Sequence, residues 1–257
     1  MEVFLGGGNR EILRDGEFVR RPAGPWSATV HRLLSHVRAH GFDRAPFPVG
    51  FSDSGEEILT FLPGTVSNYP LPDNVRSEAA LISAARLLRS YHDATADFLH
   101  EGGTWQLKQR SPVEVVCHGD YAPYNVVFDG TNAVGIIDFD AAHPGPRTWD
   151  IAYALYRWAP FTNPHNTDGF GTPGEQIARA RRFCDAYGLE PQKRRGLAEM
   201  VAERLRQLLD FLVSGAEAGI EAFRNNMQDG HHLLYQRDIE YIEMHRQGID
   251  SGLYSGT

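Results

Sequence analysis

The nine residues Cys117-His118-Gly119-Asp120-Tyr121-Ala122-Pro123-Tyr124-Asn125 constrain this chain more than any other stretch. After a short hairpin they are followed by Ile136-Ile137-Asp138-Phe139-Asp140. Val113 to Cys117 is a short, β-branched apolar run and predicts a strand leading into a loop. Asn125 to Phe128 predicts a second strand, Asp129-Gly130-Thr131-Asn132 a turn, and Ala133 to Phe139 a third strand. Asp120 and Asn125 then flank one tight loop, stiffened by the fixed φ of Pro123. Asp138 closes the hairpin that follows. An isolated Asp-x-x-x-x-Asn says little, whereas the full set with its flanking strands is specific.

These residue types suit phosphoryl transfer. That chemistry asks a protein mainly for position and charge stabilisation: a divalent metal on the phosphates and an acceptor hydroxyl held in line. Mg²⁺ is a hard cation that takes a few protein oxygens and leaves other positions to water and phosphate. Asn125 offers an amide oxygen and Asp138 a carboxylate. Asp120 remains to orient the hydroxyl or accept its proton.

The run from His118 to Asp150 resembles the aminoglycoside phosphotransferase and choline kinase-like family. The matching pieces are His118-Gly119-Asp120, Asn125, Ile137-Asp138-Phe139 and Gly145-Pro146-Arg147-x-x-Asp150-Ile151-Ala152. The resemblance implies an α+β, protein-kinase-like fold with a small β-rich N-terminal lobe and a larger, mainly helical C-terminal lobe. It implies Asp120 as the catalytic residue, Asn125 and Asp138 as metal ligands, and His118 and Asp150 as supports of the catalytic loop. Asp150 equally suits a helix N-cap ahead of Ile151. Mg²⁺ and ATP or GTP follow as cofactor and co-substrate. The acceptor class is an aminoglycoside-like or other hydroxylated amine or metabolite alcohol. The alternative is a catalytically silent, nucleotide-binding pseudokinase.

The first 62 residues read as a small β-rich lobe, and residues 63–257 as the catalytic and acceptor-binding lobe. Glu2 to Leu5, Arg10 to Arg14 and Glu17 to Arg21 predict three strands, with Asp15-Gly16 as a hairpin turn. Gly6-Gly7-Gly8 serves either as a plain turn or as a phosphate contact. A helix is expected from Ser27, as N-cap, to His40. Two further strands, at Pro48–Phe51 and 57–61, lead into Thr60-Phe61-Leu62. That segment resembles the family's hinge, whose backbone pairs with an adenine edge and would enlist Thr60 and Leu62.

The family's third-strand lysine and its helical glutamate partner are both missing. Lys108 and Lys193 are the only lysines, and residues 22–46 contain no Glu. Arginine grips phosphate bidentately and stays charged. Strand alternation turns only one of Arg20 and Arg21 to the cleft, and position favours Arg20. His31 is placed to substitute for the glutamate. His36 and His40 are expected as partly exposed polar residues rather than metal ligands.

Beyond residue 73 the pattern is helical: Asn74 to Phe98, a helix running to Trp158, Gly174 to Tyr187, Leu197 to Ala216, and a further stretch interrupted at Gly219 and Gly230. Acceptor-side acids would come from Asp210, Glu217, Glu221, Asp238, Glu240 and Glu243, with at most one or two in a pocket. Trp158, Phe161, Phe211 and Tyr235 are expected mainly in the core. The chain carries a net charge of −8, which disfavours non-specific nucleic-acid binding. It shows no apolar run of membrane-spanning length and no signal-peptide pattern. Its two cysteines form no disulfide framework. A cytoplasmic protein without membrane or nucleic-acid partners is expected, its oligomeric state left open.

Overall fold

The computed structural model describes residues 2–5, 11–98 and 103–254. Five strands form an antiparallel sheet: β1 (Glu2–Leu5), β2 (Glu11–Asp15), β3 (Phe18–Pro22), β4 (Pro48–Phe51) and β5 (Glu56–Thr60), in the order β1-β2-β3-β5-β4. Helix α1 (Ser27–Ala39) lies between β3 and β4 in sequence and buries Val30, Leu33, Leu34 and Val37. Ser27 is its first residue rather than its cap, and the Ser27 hydroxyl accepts the Gly24 N–H. In β5 burial alternates, so that Glu57 and Leu59 point inward together. The glycine turn at residues 6–8 lies outside the described residues.

The helix expected over Asn74 to Phe98 is two helices, α2 (Asp73–Arg76) and α3 (Glu78–Thr95). Ser77 between them is extended, and its side chain accepts the Ala80 N–H. A residue that caps cannot also continue a helix, so the periodic pattern survives a break it does not reveal. The first residues after α3 bring Asp97 to 3.2 Å from both His36 and His40 of α1.

Next come β6 (Val115–Cys117), β7 (Val126–Asp129) and β8 (Asn132–Ile136), then β9 (His143–Gly145), a strand the sequence pattern gave no sign of. β6 pairs with β9 and β7 with β8. Helices α4 (Arg147–Trp158), α5 (Pro173–Tyr187), α6 (Leu197–Glu217), α7 (Glu221–Gln228) and α8 (His231–Tyr254) complete the chain. Glycines 219 and 230, with φ of 89° and 78°, separate the last three helices. One apolar core runs from Val30 and Leu33 of α1 through Leu87 of α3 to Ile242 and Leu253 of α8. No described helix is long and apolar enough to cross a membrane.

Candidate active site

The loop between β6 and β7 is held from behind. Asp150, in the first turn of α4, is fully buried and accepts the backbone N–H groups of His118 at 2.6 Å and Gly119 at 2.9 Å. Its Oδ2 also meets His92 Nε2 at 3.0 Å, while His92 Nδ1 meets the Tyr187 hydroxyl at 2.8 Å. Asp150 is therefore not the helix cap; Pro146 holds that position. Burial alone would raise its pKa. The bonds and charges of His92, His118 and Gly119 outweigh burial and pull it down to about 2. Burial lowers the pKa of His92.

His118 is also fully buried and bridges the two motif halves. The Asp120 N–H donates to its Nδ1 at 3.3 Å, so Nε2 carries the proton toward the Ile137 carbonyl at 2.9 Å. Gly119 has φ +81°, and a Cβ there would sit 2.1 Å from the Ala141 carbonyl oxygen. Only glycine fits that approach. The Gly119 carbonyl accepts from the guanidinium of Arg204, a buried residue of α6.

Asp120 stands at the cleft end of this loop. The Tyr124 hydroxyl donates to one carboxylate oxygen at 2.8 Å and Asn125 Nδ2 to the other at 2.9 Å. Burial raises the Asp120 pKa. The Tyr124 bond, His118 and Arg157 oppose the rise, and the like charge of Asp138 adds to it. Asn125 is buried, and because its amide nitrogen faces Asp120 its oxygen is turned elsewhere.

The other half of the site comes from the sheet. The cleft-facing arginine is Arg21, not Arg20: β3 pairs Arg21 with Glu57, and alternation sends Arg20 to the opposite face. Arg21 Nε donates to Glu57 at 2.6 Å, Nη1 to Asp138 at 3.0 Å and Nη2 to Asp140 at 2.6 Å. Burial would lower the Arg21 pKa, but the three carboxylates outweigh it and raise the value. The missing glutamate partner is Glu57 on β5, whose second oxygen meets His31 Nε2 of α1 at 3.0 Å. Asp138 is the only non-glycine residue with positive φ among those described (φ 62°, ψ 70°). This is a strained conformation of the kind found at functional sites. Its side chain is 42 % exposed, against 1 % for Glu57.

At the expected hinge, the Thr60 N–H donates to the Phe47 carbonyl and the Thr60 hydroxyl accepts the Phe47 N–H. Both groups are thus engaged within the sheet, so Thr60 cannot offer its N–H to a base. Leu62 approaches Gly135 closely enough that a Cβ there would lie 2.8 Å from the Leu62 side chain.

Asp120, Asp138 and Asp140 line a single cleft of about 750 Å³, whose far wall is built from α6, α7 and the start of α8. Residues 103–200 match the family described as phosphotransferase enzymes. Over 98 % of its length the chain is 31 % identical to the trifolitoxin immunity protein of Rhizobium leguminosarum bv. trifolii, 98 % of which is covered. The chain belongs to the phosphotransferase enzyme family.

Solved structures of this family's fold agree. A choline/ethanolamine kinase family protein from Mesorhizobium loti superposes with a TM-score of 0.57 at 14 % identity, covering 95 % of this chain and 93 % of that one. Amicoumacin kinase in complex with AMP-PNP, Ca²⁺ and Ami gives 0.59 at 13 % identity, with coverage of 86 % and 88 %. As a member of this family the chain is a phosphotransferase, and its fold is that of the small-molecule kinases it superposes on. Sequence reasoning missed Glu57 because it sought the acid only on α1. The alternation of Glu57 with Leu59 in a strand was the available signal. It also missed Arg204, which sits on the apolar face of α6 beside Val201 and Leu205.

Proposed function

We propose that this phosphotransferase moves the γ-phosphate of ATP or GTP onto the hydroxyl of a small molecule, with Asp120 orienting that hydroxyl. The observation that carries the reading is the opening of Asp120 and Asp138 onto one cleft, each secured by separate elements. Asn125 and Asp138 would hold Mg²⁺. Their carboxylate and amide oxygens are the donors a hard cation takes, and Asp138 keeps an exposed carboxylate of which Arg21 holds Oδ1. Bound there, the metal neutralises phosphate charge. Arg21 stands in for the family's lysine, and its contact with Asp138 leaves a guanidinium beside the phosphate path.

The Arg21–Glu57–His31 cluster supports turnover over the silent-binder alternative, because it supplies a cation–carboxylate pair where the family's lysine and glutamate are missing. The 31 % identical relative is named for immunity to trifolitoxin. Phosphorylation that inactivates a toxic alcohol fits both that name and this cleft. The test is an acceptor screen that follows ADP and GDP release with Mg²⁺. Turnover that falls by about 10²–10⁴ in Asp120→Ala, with nucleotide binding retained in thermal shift, is the expected result. Nucleotide binding with no turnover on any alcohol rejects it.

A further inference from the structure

The helical wall of the cleft is mostly apolar, with Arg204, Gln207, Glu221, Asn226 and His231 as its polar residues. Tyr153, Leu208, Phe211, Ile220, Phe223 and Tyr235 line it. Phe211 and Phe223 meet edge to face at 5.2 Å, and Gly215 makes room for the Phe223 ring. Of the six acids expected on the acceptor side, only Glu221 lines the cleft. Asp238 is buried and accepts from Tyr156, Asn163 and Asn166. Asp210, Glu217, Glu240 and Glu243 are exposed, the last paired with Arg206.

The aromatic faces near Asp120 are occupied from inside. The Arg157 guanidinium lies 5.0 Å from the Tyr69 ring, 5.1 Å from Tyr124 and 5.4 Å from Tyr156. Arg204 lies 4.6 Å from Tyr153 and itself lines the cleft. A guest ammonium that sought the same ring faces would meet two guanidinium groups of like charge. On the sheet side, Asp138 and Asp140 already share Arg21. The neutral amide Gln207 lines the same cleft, and its Oε1 has no partner among the described residues, so it calls for a donor.

From this we infer the acceptor class, an inference that rests on the kinase reading above. The acceptor is an uncharged, largely apolar molecule of drug size that carries a hydroxyl for Asp120 and an amide N–H or second O–H for Gln207. A cleft of about 750 Å³ suits a guest of that size.

The experiment compares acceptors on the full chain with ATP, GTP and Mg²⁺. Chloramphenicol and an end-capped Phe-Ser-Leu tripeptide are the neutral probes; kanamycin and choline are the cationic ones. Binding is measured by calorimetry with a non-hydrolysable nucleotide, and turnover by nucleoside diphosphate release. Neutral probes are expected to exceed cationic ones at least tenfold in affinity and in kcat/KM. Phe211→Asp should erase that preference while leaving the nucleotide-induced thermal shift in place. Preference for kanamycin or choline, or failure of every neutral probe to bind, overturns the inference. Neutral probes that bind and lose affinity in Phe211→Asp, with no turnover of them or of any alcohol in the acceptor screen, overturn the kinase reading while upholding the neutral ligand class.

Discussion

Asp120 and Asp138 open onto the same cleft but are held in opposite ways. Asp120 rides on a loop locked by buried groups from one part of the chain: the Asp150 carboxylate, the His118 ring and the Arg204 guanidinium. Asp138 sits in a strained left-handed turn, is 42 % exposed and is steadied by an arginine that reaches across from the sheet. The first arrangement fixes one carboxylate whatever occupies the cleft. The second is a charge contact between two parts of the molecule, and a metal or phosphate can re-partition it. On the proposed function, orientation of the hydroxyl is thus built in, while the phosphate side is left adjustable.

The comparison breaks most visibly at Asp150. Asp150→Ala removes a buried acceptor and takes away the partner of His92 Nε2 and of two loop N–H groups. A loss of about 3–5 kcal/mol is expected in chemical denaturation, together with loss of turnover. Should stability survive intact, the locked side is not locked. Arg21→Ala tests the adjustable side. It should raise the nucleotide KM about tenfold to a hundredfold, and because it also leaves the buried Glu57 with His31 as its side-chain partner it should lower folding stability as well. Equal losses from Arg20→Ala would return the assignment to the other face of β3.

A third test uses acid. The ordinary Asp150 value of 3.8 falls to about 2 in the folded chain. Its ionised form therefore contributes stability in full above about pH 4, and that contribution disappears as the pH drops toward 2. About 2 kcal/mol should vanish over this window in the wild type and be missing from Asp150→Asn, as read by denaturant midpoints at each pH. The smallest effect is expected for Tyr124→Phe. It deletes one hydrogen bond to Asp120 and should lower kcat by about tenfold or less, leaving the nucleotide KM near the wild-type value.

The catalytic segment could be read from residues alone because its chemistry is local. Asp120 and Asn125 are five positions apart, their loop demands glycine at 119, and strands flank both ends. The helical stripes of α1 and α3 were equally visible, since burial follows a period that sequence displays. The partner of Arg21 was not visible. Glu57 is 36 positions away on a strand that becomes its neighbour only when β3 pairs with β5. Nor could the strand pattern say which of two adjacent arginines faces inward, because alternation gives the period and not the phase. Which of the acids of α6–α8 would reach the cleft was hidden for a related reason, and of the six expected only Glu221 lines it. Helix position alone does not tell which side of α6 to α8 closes the cleft, and packing turned aromatic residues there instead.

The order of residues along the chain thus determined the loop that carries Asp120 and Asn125, the hairpin that brings Asp138 to the same cleft and the α+β architecture, all of which rest on neighbours within a few turns or strands. Tertiary structure decided the Arg21–Glu57–His31 cluster, the fold-back of Asp150 onto the loop and the largely aromatic and aliphatic lining of the helical wall. Each of these depends on distant elements meeting in a cleft where burial makes charges strong only in company.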